Sequence, residues 1–266
     1  MRNNTLLIMP AYNEDMNIGS VIDTLKNAGV LEQMDLLVIN DGSTDSTAEV
    51  VRRHREVRLI NQIYNMGYGA ALQTGYKYAV EHGYDYVLQM DSDGQHDICN
   101  LEVLLKRLKG ETEAAGIPAE NIEPDRLPDI VVGSRFLQGS STFAVSQLKK
   151  FAIAIFRNAI TRLTGYHLTD PTSGLQGLNR KAFSYFAGYT NFDIQYPDLN
   201  VLIQMLMLGY HIEEVPAVMH ERTAGISMHS GLLKAGRYMI VMFISTFTIY
   251  NQYHGLLKER RKKHNL

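Results

Sequence analysis

Two aspartates, Asp91 and Asp93, stand two positions apart directly after the apolar run Tyr86–Met90. Carboxylates this close repel each other, and a divalent cation would relieve the repulsion. Gln95, two residues further on, adds a neutral oxygen ligand. Oxygen ligands suit Mg²⁺ or Mn²⁺, which also bridge diphosphate oxygens. The pattern therefore indicates a site for a divalent metal, although aspartates are also common in ordinary turns.

A second acidic segment follows an earlier apolar run. Asp41 comes directly after Leu36–Asn40, and Gly42 permits a tight turn behind it. A carboxylate at a strand end could accept a hydrogen bond from the N–H of a nucleotide base. The run Ser43–Asp45 could equally do no more than cap the next helix. This segment alone is compatible with both interpretations.

Apolar runs alternate with segments of helical spacing through the first half of the chain. The runs that we expect to be buried strands are Thr5–Met9, Leu36–Asn40, Arg58–Asn61, Tyr86–Met90 and Ile130–Gly133. The segments with helical spacing are Ile18–Asn27, Thr47–Arg55, Ala70–Glu81 and Leu101–Leu108. This alternation predicts an α/β fold with a mostly parallel sheet and helices on both faces. Ligands of such sheets bind beyond the carboxyl ends of the strands, where the acidic segments lie.

The second half of the chain is less regular. Its expected elements are a loop over Gly110–Pro128, a helix over about Phe143–Leu163, turns over Thr169–Gly177, a helix near Leu199–Leu208, a strand near Ile212–Val218 and a long helix over about Gly231–Tyr250. We expect one catalytic domain over residues 1–230. Residues 231–266 would form a C-terminal helix with a basic tail.

Composition narrows the class of protein. A formal net charge of -2 over 266 residues gives no reason to expect nucleic-acid binding. The single cysteine, Cys99, excludes an intramolecular disulfide and suits a reducing compartment. The run Thr5–Met9 stops at Pro10 and is too short for the core of a signal peptide. We therefore expect a cytoplasmic location.

Taken together, these segments resemble the family 2 inverting glycosyltransferases, and within them the dolichol- or polyprenyl-phosphate sugar synthase branch. The motifs that carry the resemblance are Pro10–Glu14, Asn40–Asp45, Asn65–Gly69, Asp91–His96, Gly133–Arg135, Asp170–Gly174, Tyr196–Asp198, Glu214–Pro216, Glu221–Arg222 and Gly225–Ser227. They span most of the chain. The resemblance implies the GT-A (nucleotide-diphospho-sugar transferase) fold and transfer of a hexose from a UDP- or GDP-linked sugar.

The resemblance also implies roles for individual residues. Those expected to bind the donor are Pro10, Ala11, Tyr12, Glu14, Asp41, Asn65, Gly67, Asp91, Ser92 and Arg135. Asp93 and Gln95 would hold Mg²⁺ or Mn²⁺ on the diphosphate. Those expected to bind the acceptor are Arg135, Ser173 and Arg222.

The acceptor decides whether a catalytic base is needed. A lipid phosphate is already anionic, whereas a sugar hydroxyl must lose its proton to a base. Asp198 is the first candidate for that base and Asp170 the second, and either could instead be a helix cap or turn residue. Asp91, expected at the sugar or ribose, completes the set of candidate catalytic residues.

One departure from the family pattern leaves other functions open. Where many relatives continue Phe-Arg after the Ser-Gly of the turn, this chain has Leu175 and Gln176. A cation that could grip an acceptor phosphate is therefore missing. The alternatives are transfer to a glycan or polysaccharide hydroxyl and a non-catalytic adaptor that binds nucleotide sugars. A nucleotidyltransferase is disfavoured, because Pro10–Glu14 lacks the glycines and basic residue of its usual loop.

The C-terminal segment predicts contact with a membrane. An apolar stretch, Leu232–Tyr250, is followed by the basic cluster Lys258–His264. It is shorter than the ~20 apolar residues needed to span a bilayer. An apolar helix with a basic tail suits the inner face of the membrane, where the protein would be peripheral. The helix could instead meet a membrane-protein partner or a second copy of the chain.

Overall fold

A seven-stranded sheet lies at the centre of the computed structural model, which describes residues 3–111, 126–141, 147–221 and 232–264. The strands are β1 (Thr5–Ala11), β2 (Asp35–Asn40), β3 (Arg58–Asn61), β4 (Tyr86–Gln89), β5 (Ile130–Ser134), β6 (Gln176–Asn179) and β7 (Ile212–Pro216). The helices of the described residues are α1 (Ile18–Asn27), α2 (Val30–Gln33), α3 (Thr47–Arg52), α4 (Tyr68–Glu81), α5 (Cys99–Lys109), α6 (Gln147–Thr164), α7 (Arg180–Ala187), α8 (Leu199–Leu208) and α9 (Leu232–His264).

The strand order is β3-β2-β1-β4-β6-β5-β7. Neighbouring strands are parallel, except that β6 runs antiparallel to both β4 and β5. The carboxyl ends of β1, β2, β4 and β5 therefore lie along one edge of the sheet. The predicted fold class, a mostly parallel α/β sheet, is confirmed.

Alternating side chains of β1 build two separate cores. Leu6 and Ile8 pack on one face, together with α4, α6, α7, α8 and α9. Leu7 and Met9 pack on the other, together with α1, α3 and α5. Successive strand residues point to opposite faces, so a strand that is apolar throughout must be covered on both. These cores fix the sheet whose edge carries the acidic segments.

Strand β6, like helices α2 and α7, is an element that we did not expect from the sequence. Its residues, Gln176–Asn179, have weak strand propensity, and we expected turns as far as Gly177. Gly177 allows a close approach in the structure, since a Cβ there would lie 2.8 Å from Leu108 and 3.0 Å from Leu88. Packing against neighbours, not local propensity, therefore makes this segment a strand.

Helix α9 continues past Tyr250, where the sequence pattern weakens, and ends at His264. It packs along α8, and Met242 is fully buried between the helices. Within the described residues, no helix is both long and apolar enough to cross a membrane. The predicted loop over Gly110–Pro128 lies largely outside those residues.

Candidate active site

The loops that follow β1 and β2 are held together by hydrogen bonds. Asn13 has a left-handed backbone, with φ 55°, and its N–H donates to Ser43 Oγ at 2.9 Å. Its side-chain oxygen accepts from the N–H of Thr44 at 2.8 Å. Beside it, Tyr12 keeps 44% of its surface exposed, and Glu14 is partly buried. These hydrogen bonds hold the predicted nucleotide-binding loop in place, and the ring of Tyr12 remains accessible on it.

The ends of β1, β2 and β4 are joined directly. Ser92 Oγ donates to the carbonyl of Pro10 at 2.9 Å, and the N–H of Asp41 donates to the carbonyl of Ala11 at 2.9 Å. Ser92, Asp41 and Ala11 are all buried. These bonds bring four of the expected donor residues to one edge of the sheet.

Asp41 holds the turn at the start of α4. One carboxylate oxygen accepts from the N–H of Met66 at 2.7 Å, and the other accepts from the N–H of Gly67 at 2.9 Å. Gly67 has φ 99°, a conformation that side chains rarely adopt, and Asn65 belongs to the same turn. Contact of Asp41 with a nucleotide base remains a prediction. Its observed bonds show how the turn is kept beside the strand ends.

The two residues predicted to bind metal lie directly after β4. Asp93 is 8% exposed, and its Oδ1 accepts from the N–H of Gln95 at 3.0 Å. The side-chain amide of Gln95 lies 3.5 Å from the carbonyl of His220. Among the described residues, no three His, Cys, Asp or Glu side chains form a metal cluster. The oxygen donor set fits a hard cation that takes its remaining ligands from a diphosphate.

Asp91 is surrounded by groups from three segments. The Tyr68 hydroxyl donates to its Oδ1 at 3.1 Å, and His96 Nε2 lies 3.5 Å from its Oδ2. His96 is buried, and neither ring nitrogen has a hydrogen-bond partner among the described residues. Burial, and then the charge of Asp91, raises the pKa of Tyr68. A Cβ on Gly174 would lie 3.4 Å from the Asp91 carboxylate, so the 173–175 loop forms a wall of this pocket.

Arg135, directly after β5, is paired with Asp170. Its Nε and Nη2 donate to Asp170 Oδ2 and Oδ1 at 2.6 and 2.7 Å, and its own N–H donates to Oδ2 at 3.0 Å. Nη2 also donates to Thr172 at 2.9 Å. No acceptor among the described residues bonds Nη1. Asp170 therefore orients the guanidinium, and one edge of that guanidinium remains available.

The loop that carries Asp170 is held in place by hydrogen bonds to β5 and β7. Buried Glu214 accepts from the N–H groups of Thr169 and Asp170 at 2.6 and 2.7 Å, and burial raises its pKa to about 7. Ser173 Oγ donates to the carbonyl of Gly133 at 2.6 Å. Gln176, where many relatives carry arginine, is buried in β6 and donates to the carbonyl of Ser173 at 3.0 Å. The expected acceptor residue Ser173 is thus engaged in holding its own loop.

Asp198 precedes α8 and is partly buried. The Tyr238 hydroxyl, from α9, donates to its Oδ2 at 2.7 Å. Burial raises the pKa of Asp198 to about 6, the hydrogen bond from Tyr238 opposes that rise, and the negative charge of Asp91 adds to it. The positive charge of Arg135 acts in the opposite direction. Asp91, Arg135 and Asp198 therefore share one electrostatic environment, although they come from three elements.

Sequence reasoning missed some groups that the fold brings to this pocket. Tyr238 lies in an apolar helix outside every motif, and only its position opposite Asp198 reveals it. Tyr68 and His96 lie within motifs, but their spacing alone does not point to Asp91. Arg222, an expected acceptor residue, lies outside the described residues.

Comparison with known protein families gives a direct match. The family described as Glycosyl transferase family 2 matches residues 6–186. A dolichyl-phosphate beta-glucosyltransferase from Trichomonas vaginalis is 31% identical over 86% of this chain and 68% of that protein. The polyprenol monophosphomannose synthase of Mycolicibacterium smegmatis is 25% identical over 85% of this chain and 81% of that protein.

Solved structures agree on the fold. Glucosyl-3-phosphoglycerate synthase from Mycobacterium tuberculosis, in complex with UDP, has a TM-score of 0.64 at 19% identity, covering 94% of this chain and 80% of that chain. A mannosyltransferase from Pyrobaculum calidifontis, in complex with GDP-Man and Mn²⁺, has a TM-score of 0.61 at 18% identity. That match covers 93% of this chain and 65% of the other. The sheet described above is therefore the GT-A-like fold of glycosyltransferases.

Proposed function

This chain belongs to glycosyl transferase family 2 and is a glycosyltransferase, and from that premise we propose that it moves a hexose from a UDP- or GDP-linked sugar to a polyprenyl phosphate. The observation that carries the proposal is the pocket formed by Asp91, Arg135 and Asp198 beside the ends of β4 and β5. It combines an oriented cation for an anionic acceptor with carboxylates for the sugar. Matching relatives that act on dolichyl phosphate support the acceptor class.

The donor diphosphate would lie at Asp93 and Gln95. A Mg²⁺ or Mn²⁺ ion held there would stabilise the charge that develops on the leaving diphosphate. The loop containing Tyr12 and the turn at Asn65 and Gly67 would enclose the nucleotide. Asp91, fixed by Tyr68 and close to the 173–175 loop, would contact the sugar.

The acceptor phosphate would meet Arg135. Because Nε and Nη2 of Arg135 donate to Asp170, the remaining Nη1 of Arg135 can donate to a phosphate oxygen. That oxygen would attack C1 of the sugar from the face opposite the diphosphate. The bond from C1 to the diphosphate breaks, and the nucleoside diphosphate leaves with inversion at C1.

Asp198 favours a second candidate acceptor, a glycan hydroxyl. A carboxylate with a pKa of about 6 is ionised at neutral pH and can accept a proton from an attacking hydroxyl. With a phosphate acceptor, no proton has to be removed, and Asp198 would orient the reacting groups instead. The nature of the acceptor therefore separates the two functions.

The C-terminal helix supports an acceptor that lies in a membrane. Four apolar side chains of α9 at helical spacing are between 59% and 74% exposed: Ile240, Phe243, Ile244 and Phe247. Phe151 on α6 is also exposed, and α6 packs against the same helix, α8, as α9 does. We expect this face to lie on the lipid surface, with the protein peripheral at the cytoplasmic side.

Vesicle sedimentation tests the membrane contact. Phe243→Glu with Phe247→Glu should reduce binding to anionic vesicles, while Ile63→Glu, on an exposed loop after β3, should not. Equal binding by all three proteins would contradict the contact. Dissociation of an oligomer by the double variant, without change in vesicle binding, would instead identify a second copy of the chain as the occupant.

The function is tested by transfer of labelled hexose from a panel of UDP- and GDP-sugars with Mn²⁺. Polyprenyl phosphate should yield a lipid-extractable, labelled product, and polyprenol without phosphate should yield none. Arg135→Lys keeps the charge but loses the bidentate pairing, and we expect it to raise KM for the acceptor. Transfer to a glycan hydroxyl but never to the lipid phosphate would overturn the proposed acceptor.

A further inference from the structure

Helix α9 reaches the candidate active site through Tyr238. Its hydroxyl lies 2.7 Å from Asp198 Oδ2. Its ring packs edge-on against Phe156, with ring centroids 6.3 Å apart, and against Tyr196, with centroids 5.4 Å apart. Contacts with two aromatic rings restrict the Tyr238 ring, and with it the direction of the hydroxyl.

A second polar contact ties the same segment to α9. Ser245 Oγ donates to Asp193 Oδ2 at 3.1 Å, and Asn200 Nδ2 donates to the same carboxylate oxygen at 2.6 Å. Asn200 Nδ2 also lies 2.8 Å from Ser245 Oγ, and its Oδ1 accepts from the N–H of Asp198 at 3.0 Å. The 193–200 segment is therefore fastened to the helix at two points, 238 and 245.

The 193–200 segment also contacts the donor side of the site. The carbonyl of Ile194 accepts from the N–H of Ala70 at 3.1 Å. A Cβ on Gly69 would lie 2.4 Å from the carbonyl of Asp193, so the two backbones touch. One segment thus joins α9 to the first turn of α4.

We propose that Tyr238 is a positioning residue that holds the Asp198 carboxylate in the pocket, which makes α9 a structural part of the active site. This inference rests on the role of Asp198 in the proposed function. The charged or titratable groups that act on Asp198 are Asp91 after β4, Arg135 after β5, Asp193 on its own segment, Tyr68 on α4 and Tyr238 on α9. Of these, Tyr238 alone donates a hydrogen bond to the carboxylate among the described residues.

Tyr238→Phe removes the hydroxyl and keeps the ring. We expect kcat to fall about 10-fold to 100-fold, because a loosely held group is poorly oriented, while KM for the donor stays unchanged. Loss of a hydrogen bond to a charged group should also move the acidic limb of the pH profile upward by about one to two pH units. The direction follows from the Asp198 pKa, which the hydroxyl holds down.

Tyr253→Phe is the matched control. The Tyr253 hydroxyl accepts from Gln204 Nε2 at 3.2 Å and lies 3.4 Å from the Tyr185 hydroxyl, at the same interface between α8 and α9. This variant loses a comparable bond away from Asp198. It should leave both kcat and the pH profile unchanged. Equal effects of the two variants would overturn the positioning role.

Two further measurements separate this inference from the proposed function. Adding Tyr238→Phe to Asp198→Asn should cause no further loss of kcat, since the hydroxyl acts through the carboxylate. In the free protein, the ¹³C carboxyl signal of Asp198, assigned with Asp198→Asn, should titrate at higher pH in Tyr238→Phe. An unchanged titration refutes the inference even if polyprenyl phosphate proves not to be the acceptor. Inactivity towards every acceptor, with the shifted titration present, would refute only the proposed function.

Discussion

Asp170 and Asp198 are both acidic residues of the site, and the structure predicts opposite consequences of neutralising them. Asp170 has a fully buried side chain, and it pairs through both oxygens with Arg135, whose side chain is 7% exposed. Removing one partner of a buried ion pair costs about 3–5 kcal/mol. Because asparagine keeps one oxygen acceptor, we expect Asp170→Asn to lose about 3 kcal/mol.

Burial makes the charged form of the Asp198 carboxyl less stable than it would be in water. Burial raises its pKa to about 6, so replacing it with a neutral isostere relieves that cost at neutral pH. Asparagine can still accept the hydrogen bond from Tyr238. Asp198→Asn should therefore retain or slightly increase the free energy of unfolding, while kcat falls.

Thermal unfolding and transfer assays on the same preparations measure both effects. A loss of about 3 kcal/mol corresponds to a fall in Tm of roughly 6–12 °C for a chain of this size. We expect that fall for Asp170→Asn and no fall for Asp198→Asn. The reasoning is wrong if Asp170→Asn unfolds at the wild-type temperature. It is equally wrong if Asp198→Asn loses several degrees and keeps full activity.

Three other predictions concern the glycine contact, the metal site and pH. Gly69→Ala should destabilise the folded protein by about 1–3 kcal/mol, since its Cβ would lie 2.4 Å from the Asp193 carbonyl. Gly236→Ala is the control, because a Cβ there meets nothing within 4 Å. Equal Tm values for the two variants would contradict the prediction. Asp93→Asn should lower kcat with Mn²⁺ by about 100-fold or more without lowering Tm; undiminished turnover would remove its metal role. Glu214 has a folded pKa of about 7, above its usual value, so its contribution to stability is greatest in acid and is lost as pH rises through about 7. Glu214→Gln should flatten the fall in Tm over that window, and an unchanged pH profile of Tm would argue against it.

The strand ends were predictable from the sequence because the periodicity is strong. The run Tyr86–Met90 predicts a buried strand, and Asp91 and Asp93 must follow it at the carboxyl edge. Parallel pairing then requires the segment at Asp41 to lie at the same edge. Local pattern and sheet topology together were therefore sufficient for this half of the site.

The other half depends on contacts that no local pattern encodes. Gln176 enters the sheet because β4 and β5 flank it, although its own neighbours predict a turn. Arg135 pairs with Asp170, which lies 35 positions along the chain. Tyr238 donates a hydrogen bond to Asp198, which lies 40 positions before it. Both pairs depend on how whole helices and loops pack. Sequence reasoning could name the two aspartates as candidates but could not divide their roles.

Crystallography with a nucleoside diphosphate and Mn²⁺ tests the central claim most directly. The account predicts an anomalous manganese peak at coordinating distance, about 2.0–2.3 Å, from Asp93 and from diphosphate oxygens, with the nucleotide beside Tyr12 and Asp41. A nucleotide bound elsewhere, or a diphosphate held with Asp93 turned away from any cation, would contradict it.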